Sequence, residues 1–178
     1  SREIMLIDDL ELELNDYVIR EIRKDHYLEL FQLYKSNPYY FSKIQDHEIR
    51  YEECINDLIE IPPNTRRNQK QYIGFFHDGK LLAVMDLIEG YPKREVVFIG
   101  LFMIHGEYHR LGIGKNIVNS LIRCSRKKGL KRIKLACIKE NTISQIFWKS
   151  LQFIEVDRCI NKKTDEKYWN LIVMEKEL

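Results

Sequence analysis

Residues 96–138 constrain the fold of this 178-residue chain more than any other part of it. An uncharged run, Val96-Val97-Phe98-Ile99-Gly100-Leu101-Phe102-Met103-Ile104, has the apolar continuity of a strand covered on both faces. Gly100 interrupts it, and a glycine there marks a bulge or the close approach of another group to the backbone. The run leads into His109-Arg110-Leu111-Gly112-Ile113-Gly114. Beyond that, Ile113, Ile117, Val118, Leu121 and Ile122 recur at helical spacing, Arg126, Lys127 and Lys128 crowd the last turn, and Gly129 can end the helix. A second strand, Arg132 to Ile138, follows at once. The unit is strand, glycine loop, amphipathic helix, strand. Two glycines two residues apart let the backbone press against a ligand, and the helix start adds unpaired N–H groups and the positive end of its dipole. Such a junction suits phosphate.

The rest of the chain reads as a continuous α+β pattern. Residues 3–14 alternate towards their end, Leu10, Leu12 and Leu14 against Glu11 and Glu13, which predicts an extra edge strand within residues 1–16. Tyr17 to Ile22 reads as the first core strand. Asp25 can cap a helix carrying Leu28, Leu30, Phe31 and Leu33 that stops near Asn37-Pro38, and a second helix is expected from about Asp46 to Ile59, before Pro62-Pro63. Gln71 to Phe76 and Leu81 to Ile88 form a hairpin through Asp78-Gly79. After Ile138 come a helix from about Thr142 to Leu151 and closing strands at Phe153 to Ile160 and Tyr168 to Met174. These elements predict one domain over 1–178, an α/β/α sandwich whose mixed, largely antiparallel sheet carries helices on both faces.

The glycine junction resembles the acyl-CoA-binding motif of the GNAT superfamily of N-acyltransferases: Gln or Arg, two variable residues, Gly, one variable residue, then Gly or Ala. Here His109 stands in the first place and Gly112 and Gly114 in the other two. The segment Asn141 to Phe153, with Phe147-Trp148 inside it, is similar to that family's Asn, aromatic pair and closing Gly-Phe. The two motifs together span about residues 96–153.

The resemblance implies acetyl-CoA as donor, no metal, and an amine as acceptor. The N–H groups of Leu111 to Lys115, including Ile113, would cradle the pyrophosphate, with His109 and Arg110 beside it. The main chain of Phe102, Met103 and Ile104 would pair with the pantetheine arm, and Asn141 would contact that arm through its amide. An N–H near Gly100 or Leu101 would face the thioester oxygen. Glu89, ahead of Asp86 and Glu95, is the expected proton acceptor, so that Glu89→Gln would lose acceptor turnover. Trp148 stands where a Tyr is common. An indole N–H has no acidity near neutral pH, so Trp148 is expected to pack beside the arm, with Tyr91 or Tyr168 as stand-in acids. Gln152 replaces the usual Gly after the helix, at a cost of ~1 kcal/mol if the position is left-handed.

Composition narrows the alternatives. With 44% apolar residues the chain can bury a sizeable core, and a net charge of +2 gives no reason to expect nucleic acid. The basic cluster from Arg123 to Lys134 reads as a solvated face. No apolar stretch approaches a membrane span and no leader-like segment opens the sequence, so no membrane is expected and the cytoplasm is the expected compartment. Cys54, Cys124, Cys137 and Cys159 lack metal-ligand spacing. A small-molecule amine is the preferred acceptor, a protein lysine or N-terminus comes second, and a non-catalytic acyl-CoA sensor third. A homodimer stays open.

Overall fold

The computed structural model describes residues 5–162 and 168–178. Their elements run α1 (Leu6–Glu13), β1 (Val18–Glu21), α2 (Tyr27–Lys35), α3 (Pro38–Ile44), α4 (Tyr51–Ile59), β2 (Lys70–His77), β3 (Lys80–Glu89), β4 (Val96–Ile104), α5 (Ile113–Lys128), β5 (Arg132–Ile138), α6 (Thr142–Ser150), β6 (Ile154–Lys162) and β7 (Tyr168–Glu177). The seven strands make one sheet in the order β1-β2-β3-β4-β5-β7-β6. Neighbours are antiparallel except β4 and β5, which the crossover through α5 makes parallel. Among the described residues no helix is long and apolar enough to cross a membrane.

Strand alternation divides the apolar residues between two cores. Ile73, Phe75, Met85, Leu87, Val97 and Ile99 face α1 and α5, and Trp148 of α6 joins them. Tyr72, Val84 and Met103 face α2, α3 and α4. The expected mixed sheet with helices on both faces is the one observed.

Three local expectations are corrected. Residues 6–13 are a helix, not an edge strand: Leu6, Leu10 and Leu14 are buried at four-residue spacing against α5, and Leu12 is 80% exposed. A period of four and a period of two share Leu10 and Leu14, and only Leu12 separates them. The expected second helix is shorter, and a helix that was not expected precedes it. Pro38 opens α3 at its first position, where the missing N–H costs nothing, and α4 begins only at Tyr51. Asp25 lies in a 3-10 turn, and His26 is the residue preceding α2.

The placement of the site turns on two irregularities of β4. Asp86 pairs with Leu101 and Leu87 with Ile99, so Gly100 is the extra residue of a bulge. Pairing with β5 covers Val96 to Ile99 and goes no further, while β5 continues beside β7 to Ile138. Past the bulge β4 and β5 part.

Candidate active site

The gap left by β4 opens a cleft of about 750 Å³, floored by Phe102, Met103 and Ile104 and ended by the loop before α5. His105 N–H donates to Leu82 O on β3, at 2.8 Å. Alternation from that bond turns the main-chain groups of Met103 and Leu101 towards β3 and those of Ile104 and Phe102 towards the gap. Leu101 points its own N–H into the β3 ladder, and the neighbouring amide that faces the gap is that of Phe102.

At the loop, Arg110 (φ 65°) and Gly112 (φ 79°) both take left-handed backbone, which swings the chain sharply into α5. At Arg110 this costs about 1 kcal/mol, a strain tolerated where the backbone must aim at something. Asn116 N–H is bonded back to Gly112 O, so the amides of Ile113, Gly114 and Lys115 precede the first closed turn and point out of the helix end. A Cβ on Gly114 would come within 3.0 Å of Ile104 and Phe147, so glycine lets α5 close against the cleft wall. Lys115 and Arg110 are exposed beside the loop, and Leu111 projects into solvent.

His109 does not extend away from the protein. Its Nε2 donates to Ile104 O at 2.9 Å, and Asn37 Nδ2 donates to the same oxygen at 3.0 Å. That carbonyl is therefore occupied, and Ile104 offers its N–H to the gap. Asn141 caps α6 by accepting from Ser144 N–H at 3.1 Å, which leaves its amide nitrogen as the half able to meet a ligand. Trp148 is buried against Phe147, Phe153 and Phe102, with ring centroids 4.9, 5.1 and 6.1 Å away. It lines the cleft as an apolar wall.

Two of the sequence expectations fall elsewhere. Glu89 is not brought to the cleft: it pairs in register with Val97, roughly 17 Å back along β4 from Phe102 at 3.3 Å per residue. Its carboxylate turns to the α1/α5 side, ion-paired with Lys128 at the far end of α5 and accepting from Gln71 Nε2 at 3.4 Å. The stand-in tyrosines are also remote, Tyr91 packing on Phe98 and Tyr168 lining a second, separate recess. Tyr39, Tyr40 and Tyr108 line the main cleft instead. Burial, with Asp57 and Cys137 nearby, pushes the Tyr40 phenol well above its usual range, so it remains a donor at neutral pH.

The cleft is crossed on one side by α3. Asn37 at its start is bonded to Ile104 of β4, and Ile44 at its end accepts from Trp169 Nε1 of β7 at 2.8 Å. The helix thus spans the parted strands. Sequence reading missed this because Pro38 was taken as a terminator.

Below α3 and α4 a polar line crosses the sheet face. Tyr34 donates to Asp57 at 2.8 Å and lies 2.6 Å from the Tyr72 hydroxyl. Tyr72 is the cross-strand neighbour of Asp86, and Asp86 that of Leu101. Lys70 Nζ donates to Asp86 Oδ2 at 2.8 Å, with both side chains buried. Burial pushes Asp86 up to about 6 although Lys70 pulls the other way, and burial does the same to Asp57.

The sequence profile of the Acetyltransferase (GNAT) family matches residues 24–153. No curated protein sequence matches the chain. Among solved structures, an acetyltransferase from Thermus thermophilus superposes with a TM-score of 0.71 at 17% identity, over 91% of this chain and 97% of that one. The ribosomal-protein-S18-alanine N-acetyltransferase from Escherichia coli gives 0.62 at 13% identity, over 90% and 93%. The PaiA N-acetyltransferase from Thermoplasma acidophilum, in complex with coenzyme A, gives 0.63 at 17%, over 91% and 99%. At these identities the structures share the fold.

Proposed function

The chain belongs to the GNAT acetyltransferase family of acyl-CoA-dependent N-acyltransferases, and from that premise we propose that it moves an acetyl group from acetyl-CoA to the primary amine of a small molecule, by direct attack within a ternary complex. The observation that carries this reading is the cleft itself: a strand with one free edge running up to a helix start whose amides point outward. In this reading the pyrophosphate sits on the N–H groups of Leu111 to Lys115, with Arg110 and Lys115 adding charge. Main-chain groups of Phe102 and the Ile104 N–H pair with the amides of the pantetheine arm as a further strand would. Phe147 and Trp148 wall the arm. Carried one residue further along the strand than Leu101, the Phe102 N–H faces the thioester oxygen and stabilises the charge that forms there during attack.

A small acceptor is favoured by α3, which is fastened at both ends across the parted strands and narrows the approach. The test is thiol release from acetyl-CoA with a panel of amines: butylamine, an aromatic amine, free lysine, and a peptide with an N-terminal alanine. The peptide is included because the Escherichia coli neighbour is named for a ribosomal-protein alanine. Turnover confined to the small amines supports the reading; turnover confined to the peptide replaces the acceptor, and acetyl-CoA binding without any turnover replaces the enzyme by a sensor.

A further inference from the structure

We propose that Asp86 is the catalytic base that deprotonates the acceptor amine, through a notch that Gly100 leaves open in the bulge of β4. This rests on the acetyl-transfer reading above and names the group that the sequence had assigned to Glu89.

The geometry at the bulge singles out this carboxylate. A Cβ on residue 100 would lie 2.7 Å from Asp86 Oδ2, so only glycine admits the carboxylate at this place. Gly100 is itself exposed, so at the bulge no side chain of residue 100 covers an acid that is 7% accessible. Lys70 holds Oδ2, while Oδ1 is buried with no hydrogen-bond partner among the described residues. A buried carboxylate oxygen without a partner is costly, so it marks a position not shaped for stability alone. Asp86 also neighbours Leu101 in register, one residue from the Phe102 amide that receives the thioester oxygen.

The groups facing it fit a base. Lys70 and Tyr72 adjoin it from β2, Asp57 of α4 and Glu60 just past that helix add negative charge, and Tyr34 of α2 bonds both Tyr72 and Asp57. Lys70 keeps the carboxylate ionised at neutral pH, and burial makes it a stronger proton acceptor than a solvated aspartate. In the reaction the ammonium R–NH₃⁺ gives one proton to Asp86 through a water in the notch. The freed amine pair attacks the thioester carbon, forming the C–N bond as the carbonyl π pair moves onto oxygen. When that pair returns, the C–S bond breaks and sulfur leaves with its electrons. The second amine proton passes to the departing thiolate, giving amide, free thiol and protonated Asp86, which returns its proton to solvent. No separate acid is then required of Trp148.

The test is Asp86→Asn, assayed with whichever panel amine turns over best and titrated with acetyl-CoA by calorimetry. The expected result is a fall in kcat of about 10²–10⁴-fold with donor affinity unchanged, and loss of an acid limb that the wild-type pH–rate profile shows near pH 6. An aromatic amine, neutral at assay pH, loses less than an alkylamine does. The wild-type profile tests the proposal independently of whether the variant folds: a profile flat between pH 5 and 7 overturns it. So does an Asp86→Asn variant of undiminished turnover. A wild type without acetyl-CoA affinity instead removes the acetyl-transfer reading beneath it.

Discussion

Replacing Gly100 by Ala tests the close approach on which the notch depends. The φ of Gly100 is one that any residue can adopt, so the effect is steric rather than conformational. The new Cβ would stand 2.7 Å from Asp86 Oδ2, 3.3 Å from its Cγ and 3.4 Å from Ile88 Cδ1. Relief to ordinary contact needs the carboxylate to retreat by several tenths of an ångström. It cannot swing aside, because Oδ2 is fixed at 2.8 Å to a buried Lys70 and rotation would bring Oδ1 into the same space. Overpacking of this kind costs about 1–3 kcal/mol. In a chain of this size that lowers Tm by about 2–12 °C. Urea unfolding should give a lower midpoint with an unchanged slope. The decisive comparison is the same substitution in an Asp86→Ala background, where the clash is gone and the cost should vanish. Equal costs in both backgrounds would refute the close approach.

Gln152 is left-handed at φ 69°, so Gln152→Gly should raise stability by about 1 kcal/mol in urea unfolding; an unchanged midpoint contradicts this. Asp57 has its carboxyl raised to about 6 by burial, so the folded state takes up a proton that the unfolded chain, at 3.8, does not. The wild type should accordingly gain stability from this group as pH falls through 6 towards 4 and lose it again on raising the pH. Asp57→Asn removes that dependence, so its stability relative to wild type should improve on going from pH 4 to pH 7, by about 2–3 kcal/mol; parallel curves would contradict the assignment. Glu89→Gln should keep full turnover and lose about 1 kcal/mol with the Lys128 ion pair, whereas a loss of turnover would return Glu89 to the mechanism.

The parts of this protein that sequence revealed are those where one physical requirement dominates. The uncharged β4 run, the stripe on α5 and the glycines at 112 and 129 have one structural solution each, and the strand, the helix and its left-handed ends follow. Gly100 was readable as a bulge or a close approach, and it is both. Segment 6–14 was ambiguous because its leucines satisfy two periods, and packing on α5 selected the helical one. Pro38 ends one helix and begins another, a choice settled by the Asn37 bond to Ile104 far along the chain. Asp86 carried a visible signal, a single acid within the apolar run Leu81 to Ile88, matched by a glycine in the next strand. Seeing them as one feature needs the register that sets Asp86 opposite Leu101, which no local pattern encodes. Glu89 looked better placed because the resemblance puts the proton acceptor at the corner between β3 and β4, and its partner Lys128 comes from the distant end of α5.

Donor recognition by the free edge of β4 and the outward amides of α5 underlies every step of the proposed reaction. Calorimetric titration with acetyl-CoA measures this directly. Saturable binding at one site per chain, weakened at least tenfold in Gly114→Val, whose side chain would collide with Ile104 and Phe147, is the predicted result. Absence of saturable heat with the wild-type protein would contradict it.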